Sequence, residues 1–373
     1  GDFIFGTTAD ITTNVGTSAD RVTVAATAST TTGDANATSL LENNIGISET
    51  GDGQIQVGTN GTITANAFNA TNASATTTSG VADASATIEN ASGIDMFDAA
   101  GTEAVLITGQ AATVSSTANT SSTVVASAVT GTADASSELV ETSGVEIEAV
   151  SAGTSGTITG TDTATLSASA TSVDQAATAI GSNTEADAVE FASFTAGTTG
   201  AVTGTTNSTV SASATSADAN AIAEVNPLAA DATGVTTSGA FTVGTSGAIT
   251  GTTSLNQSAT ATTVGNSAGS DIAAAAVGKD LNTSGAVVSD TAQTVYGVDN
   301  NAATIFGTSG TVSGTANSTN TATASAVNAK ASSYIDTEIQ TGADLNTLTT
   351  GQDATVTGIV NNSSTAAAST TTG

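Results

Sequence analysis

Over much of the chain, apolar and polar residues alternate one by one. Within residues 163–171, Ala164, Leu166, Ala168 and Ala170 fall on one side, and Thr163, Thr165, Ser167, Ser169 and Thr171 on the other. Val210, Ala212 and Ala214 alternate in the same way with Thr209, Ser211, Ser213 and Thr215, and Ala322, Ala324 and Ala326 repeat the pattern. A period of two predicts a strand with one face buried. A second kind of segment holds most of the large apolar residues: Val145-Glu146-Ile147, Phe191 to Phe194, Ala240-Phe241-Thr242-Val243 and Thr304-Ile305-Phe306. Each leads toward a Gly-Thr pair, and a short run such as Thr157-Ile158-Thr159 follows that pair. Three strand-like pieces per unit are expected, with paired glycines supplying turn conformations that β-branched residues avoid.

These pieces recur. GTSGTITG at 153–160 returns as GTTGAVTG at 197–204, GTSGAITG at 244–251 and GTSGTVSG at 307–314, with weaker copies starting at Gly6, Gly58, Gly109 and Gly351. The eight starts lie 52, 51, 44, 44, 47, 63 and 44 residues apart, a period near 44 with insertions placed near 217–232 and 266–300. Residues 1–373 thus read as one continuous array. A 44-residue unit of short strands cannot bury its own apolar face, whereas stacked units share one core. The expected fold is all-β, a tandem-repeat β-solenoid-like rod, with Phe3, Phe5, Phe97, Phe191, Phe194, Phe241 and Phe306 stacking at corresponding levels. The alternative is a string of β-sandwich domains, each made from two repeats, which the unequal spacings and the absence of Trp disfavour. Alanine favours helix, so 217–225, before Pro227, and 272–277, with Asp271 as N-cap, are read as short helices decorating the rod.

Composition narrows the function. Cys, His and Trp are absent, and Arg21, Lys279 and Lys330 are the only bases against 33 acids, for a net charge of −30. Structural zinc, thiol redox chemistry and histidine general-base mechanisms need side chains the chain lacks. Nucleic acid and anionic lipid repel such a surface, so neither is expected as a partner. The longest clean apolar run is six residues, where a membrane-crossing helix needs about twenty. Residues 1–30 show no basic segment followed by an apolar one, so the sequence is expected to start after processing or to use another export route. Without Cys, and with almost nothing for trypsin to cut, the protein is expected outside the cell or on its surface.

Candidate chemistry is sparse. Ser and Thr are abundant but no histidine base exists, and neither lysine sits in an S-x-x-K setting. Glu146 and Glu148 lie two apart on a strand and read as a solvated face, not a glycosidase acid and base. Gly278-Lys279 lacks the rest of a phosphate loop. Acids and amides cluster at Asp299-Asn300-Asn301 and Gly51-Asp52-Gly53, which read as turns. Calcium is therefore possible as a ligand, although no calcium-loop pattern is present. Neither an enzyme nor a cofactor is expected. Rows such as Thr163-Ala164-Thr165, Thr260-Ala261-Thr262 and Thr321-Ala322-Thr323 resemble those of ice-binding solenoids, but here Ser mixes in freely and the spacing along the chain varies.

The G-T-[ST]-G-[AT]-[IV]-[TS]-G repeat, covering nearly the whole chain, resembles in character the repetitive Cys-free proteins of bacterial surface fibres, adhesin stalks and matrix filaments. That resemblance implies an extracellular structural role and carries no functional residue with it. The rival expectation is an adhesin stalk or an ice- or surface-binding module, with cell-surface glycans as its partner. Phe3-Ile4-Phe5 matches the apolar piece before a Gly-Thr turn, while the last copy, from Gly351 on, has the first pieces and lacks that one. Head-to-tail self-assembly is expected, with Phe3, Ile4 and Phe5 meeting Val356, Ile359 and Val360 of a neighbouring copy.

Overall fold

In a computed structural model, residues 3–48, 54–96, 105–225, 231–264, 273–277, 294–327, 330–334 and 339–371 are described. They form an all-β array of stacked coils with no helix among the described residues. Each coil runs out along a front strand and back along a returning one. The front strands are Thr8–Val15 with Val22–Thr30 (coil 1), Asn60–Thr77 (coil 2), Ala111–Ala128 (coil 3), Ser155–Ser172 (coil 4), Thr199–Ser216 (coil 5), Ser246–Thr263 (coil 6), Ser309–Val327 (coil 7) and Asp353–Thr371 (coil 8). They pair in parallel into one sheet. From Asn60 to Thr371 no register shift interrupts it. The returning strands, such as Ala133–Ala152 of coil 3 and Ala177–Ala196 of coil 4, form a second parallel sheet behind the first.

The two runs that the sequence separates, 157–159 and 163–171, belong to one eighteen-residue strand, Ser155–Ser172. The unequal repeat spacing does not disturb the front sheet. Strands of coils 2 to 7 are eighteen or nineteen residues long, and the extra residues of the longer repeats fall between front strands. Only coil 1 interrupts its own front strand, at residues 16–21. At the far end, four-residue turns are closed by a serine: Ser172 Oγ accepts the Gln175 N–H at 3.1 Å and donates to Gly131 O at 2.7 Å. Ser216 repeats the arrangement with Ala219 and Gln175.

Inward side chains fill two apolar compartments. Near the serine turns the sheets meet over small residues, with Ala168, Ala212, Ala259 and Ala322 in one axial column and Ala170, Ala214, Ala261 and Ala324 in the next. Near the Gly-Thr turns the core is larger: Ile158, Val202, Ile249 and Val312 face Ile147, Phe191, Phe194 and Phe241. Phe194 and Phe241 occupy one column and stack at 4.7 Å, and Phe306 meets Phe241 edge-on at 5.9 Å from the adjoining column. Phe191 lies one column further in, so the aromatics share a compartment without forming a single ladder. Phe97 lies outside the described residues.

The glycines of the repeat act by absence of a side chain and not by turn conformation. Among the described residues, positive φ occurs at Gly16, Gly33, Gly80, Asn43 and Asn90, all in coils 1 and 2. In GTSGTITG, Gly156 points inward beneath the Phe194 ring, where a Cβ would come within 2.7 Å of it. Gly160 marks a waist between the compartments. A Cβ there would overlap the carbonyl oxygen of Ala188 in the returning strand, and Gly204, Gly251 and Gly314 stand in the same relation to Gly234, Gly297 and Gly342.

Two further expectations are corrected. Ala221–Val225 and Ala273–Val277 are strands, paired in register with each other and with 177–181 and 330–334. Inter-coil pairing on both edges overrides alanine's helix propensity. Asp299, Asn300 and Asn301 lie within the strand Thr294–Phe306, at an irregularity where Asn300 Oδ1 accepts the Ala302 N–H, and not in a turn. Gly51-Asp52-Gly53, Pro227, Asp271, Ile272 and Lys279 lie outside the described residues.

Candidate functional site

Three surfaces differ enough in chemistry to be candidates. The first is the pair of end edges. Phe3–Phe5 is a short strand of the returning sheet, paired with Ile55, Gln56 and Val57. Ile4 points outward and is 71% exposed, while Phe5 packs against the larger compartment. At the other edge, Asp353–Thr371 pairs with coil 7 on one side, and no described returning strand belongs to its coil. Val356 and Val360 continue the inward columns of Val312 and Ala316 and stand 50% and 47% exposed. Ile359 differs from them. It continues the outward column of Thr315 on the front face, so it does not belong with the other two.

The second surface is a trough on the returning sheet. Where the strand dips to the waist at Gly144 and Ala188, its outward residues sink with it, and they are acidic. Parallel registry stacks like on like: Asp95, Glu146 and Glu190 form one column, Glu141 and Glu185 another, and Ser143 and Asp187 lie between them. Carboxylate oxygens of Glu185, Asp187 and Glu190 all fall within 4.8 Å of one another. Glu146 is not on a solvated face, as its place in the sequence implies. Burial, then the charges of Asp95, Glu190 and Glu141, push its carboxyl up to about 9, against a hydrogen bond from Ser143 Oγ at 3.2 Å. Glu190 is pushed up to about 7 by burial, then by Glu185, Glu141 and Glu148. Periodicity alone could not reveal this trough, because the depth comes from glycines on the opposite sheet.

Between the sheets, Asp162 is completely enclosed. Burial holds its carboxyl well above the usual carboxylate range, although Thr142 Oγ1 donates to it at 3.1 Å. Its column continues as Thr206 and Thr253, whose hydroxyls donate instead to the carbonyl oxygens of Thr233 and Tyr296.

The third surface is the outward face of the front sheet. All nine outward positions of coil 4, from Ser155 through Thr163 to Thr171, are Ser or Thr. Coils 5, 6 and 7 place Ser, Thr, Asn or Ala in the same register. Thr117, Thr161, Thr205, Thr252 and Thr315 form an unbroken column across coils 3 to 7. Of the 33 acids, the front strands hold three: Asp162, which points inward, and Asp10 and Asp353 on the first and last coils. Coils 1 to 3 are partly covered, because Arg21 reaches across the face to Asn69 O at 3.0 Å and to Asn119 Oδ1 at 2.6 Å.

No protein-family profile, curated protein or solved structure matches the chain.

Proposed function

We propose that the chain is an extracellular structural protein, a repeat rod whose copies stack end to end into a filament of a cell surface or matrix. The observation that carries this reading is the front sheet, in register from Asn60 to Thr371, whose last strand has an open parallel edge and presents Val356 and Val360 to solvent. Unpaired strand edges are templates for another chain, and a heterologous contact of this kind propagates without closing. A second copy continuing the stack would lay its Phe3–Phe5 strand over residues 348–350 and set Phe5 against Ala354. That contact covers the Gly-Thr third of the coil 8 inner face, so Val356 lies at the junction and Val360 at its margin. Ile359 stays on the front face, outside it.

Negative-stain microscopy of the purified protein in salt tests the reading. Uniform fibres are expected, shortened or lost when Phe5 or Val356 is changed to Asp. Single short rods under all salt conditions would favour an adhesin stalk, and fibres of unchanged length in both variants would refute the terminal junction.

A further inference from the structure

The front face has a property the filament reading does not use. The chain carries a net charge of −30, yet the outward positions of coils 4 to 7 hold no charged and no aromatic residue. What they hold is a lattice. Strands in register repeat about every 4.8 Å across the sheet, and successive outward residues repeat about every 6.6 Å along it. The fully hydroxylated strand Ser155–Ser172 and the threonine column Thr117, Thr161, Thr205, Thr252 and Thr315 cross near its centre. β-Branched threonines are stiff at χ1, and both edges of each central strand are hydrogen bonded, so methyls and hydroxyls keep fixed positions.

Three partners could meet an uncharged face, and their chemistry separates them. A second copy mating face to face would strip water from dozens of hydroxyls, and each one left without a partner keeps an uncompensated desolvation penalty. A carbohydrate surface is gripped by aromatic platforms, which coils 4 to 7 lack on this side. Crystalline water strips nothing, since the hydroxyls keep water partners while the methyls sit in the gaps of an ordered layer. It also disfavours charged side chains, which hold their own hydration shells, and charge is what this face omits. The unequal spacing of the repeats in the sequence argues against such a role. The structure removes that objection, because the insertions fall between front strands and leave the lattice regular over coils 2 to 7.

We infer that the front face binds ice, ordering a water layer over the Ser/Thr lattice of coils 4 to 7. The test measures thermal hysteresis and ice-crystal shape for the full chain, for the double variant Thr205→Lys/Thr252→Lys, and for Gln175→Lys, which adds a charge in an exposed turn away from the face. Circular dichroism confirms that each variant keeps its β spectrum. The wild type and Gln175→Lys are expected to depress freezing below melting and to facet the crystals, and the double variant to lose both effects. Absence of hysteresis and faceting in the wild type overturns the proposal, and so does full activity in the folded double variant. Light scattering above freezing supplies a further outcome: a wild-type pair that the double variant dissolves would show that a second copy occupies the face, which also overturns it. Should the double variant unfold, Thr205→Tyr, neutral but too bulky for a flat layer, is measured in its place with the same expected loss.

Discussion

Replacing Glu146 by Gln removes one ionisable group from the trough and keeps nearly the same shape. In the fold this carboxyl titrates at about 9 against 4.5 in the unfolded chain, so folding favours its neutral form. Its contribution to stability is therefore complete below about pH 4.5 and is lost as pH rises toward 9, because in that interval the folded state holds a proton the unfolded state has released. Each pH unit costs about 1.4 kcal/mol for one such group. Over the whole interval the loss is on the order of 6 kcal/mol at most, reduced in practice by partial solvent access and by cations entering the trough. Glu190, at about 7, adds a similar slope between pH 4.5 and 7 only.

The assay is urea denaturation followed by far-ultraviolet circular dichroism at several pH values between 5 and 9. The wild type is expected to lose stability steadily with rising pH. Glu146→Gln should match it near pH 5 and become progressively more stable than it toward pH 9, the gap widening by up to about 1.4 kcal/mol per unit. A gap that does not change with pH, or a wild type more stable at pH 9 than at pH 5, would refute the reasoning.

Gly204→Val places a side chain against the Gly234 carbonyl, which is backbone and cannot swing aside, so stability should fall by about 3 kcal/mol or more. A melting temperature unchanged from wild type would remove the waist from the account. Asp162→Thr installs the residue that coils 5 and 6 carry in this column, and it should stabilise the rod at neutral pH by about 1–3 kcal/mol, read from the urea midpoint. Eight coils spaced about 4.8 Å apart carry the −30 charge over about 38 Å, a density above that of duplex DNA, so filament growth should speed up with ionic strength or millimolar calcium. Light scattering that is flat across a salt series would contradict that step.

The strands were legible because their signal is local. Alternation at 163–171 and 209–215, together with the GTSG copies, is enough to give parallel stacking, since a repeat buries its face only against its neighbours. What the sequence hid was which residues face one another across the core. Gly160 looks like a turn residue until Ala188 is placed above it, and Glu146 looks solvated until the waist draws its strand inward. The alanine runs at 221–225 and 273–277 misled for a related reason: helix propensity is intrinsic to the residue, while the strand partners that overrule it lie more than forty positions away. Among the expected contact residues, Val356 and Val360 are on the inward face and Ile359 is not. Alternation alone distinguishes them, since odd and even positions of one strand point to opposite sides.

A single rule, like stacked on like at about 4.8 Å, has opposite consequences on the two faces. On the front it multiplies one well-chosen residue into a lattice, and Thr117 through Thr315 lose nothing by being neighbours. On the back it sets carboxyl over carboxyl, and Asp95 and Glu190 both raise the cost of ionising Glu146 between them. A rod with acids on both faces would suffer that repulsion throughout. Keeping all but three of the 33 acids off the front strands keeps a high charge for solubility while leaving the outward face of coils 4 to 7 neutral. The waist glycines sharpen the division. They lower the returning strand until part of that charge is held neutral by burial, and because they point inward, the front strand above them stays straight and its outward register unbroken.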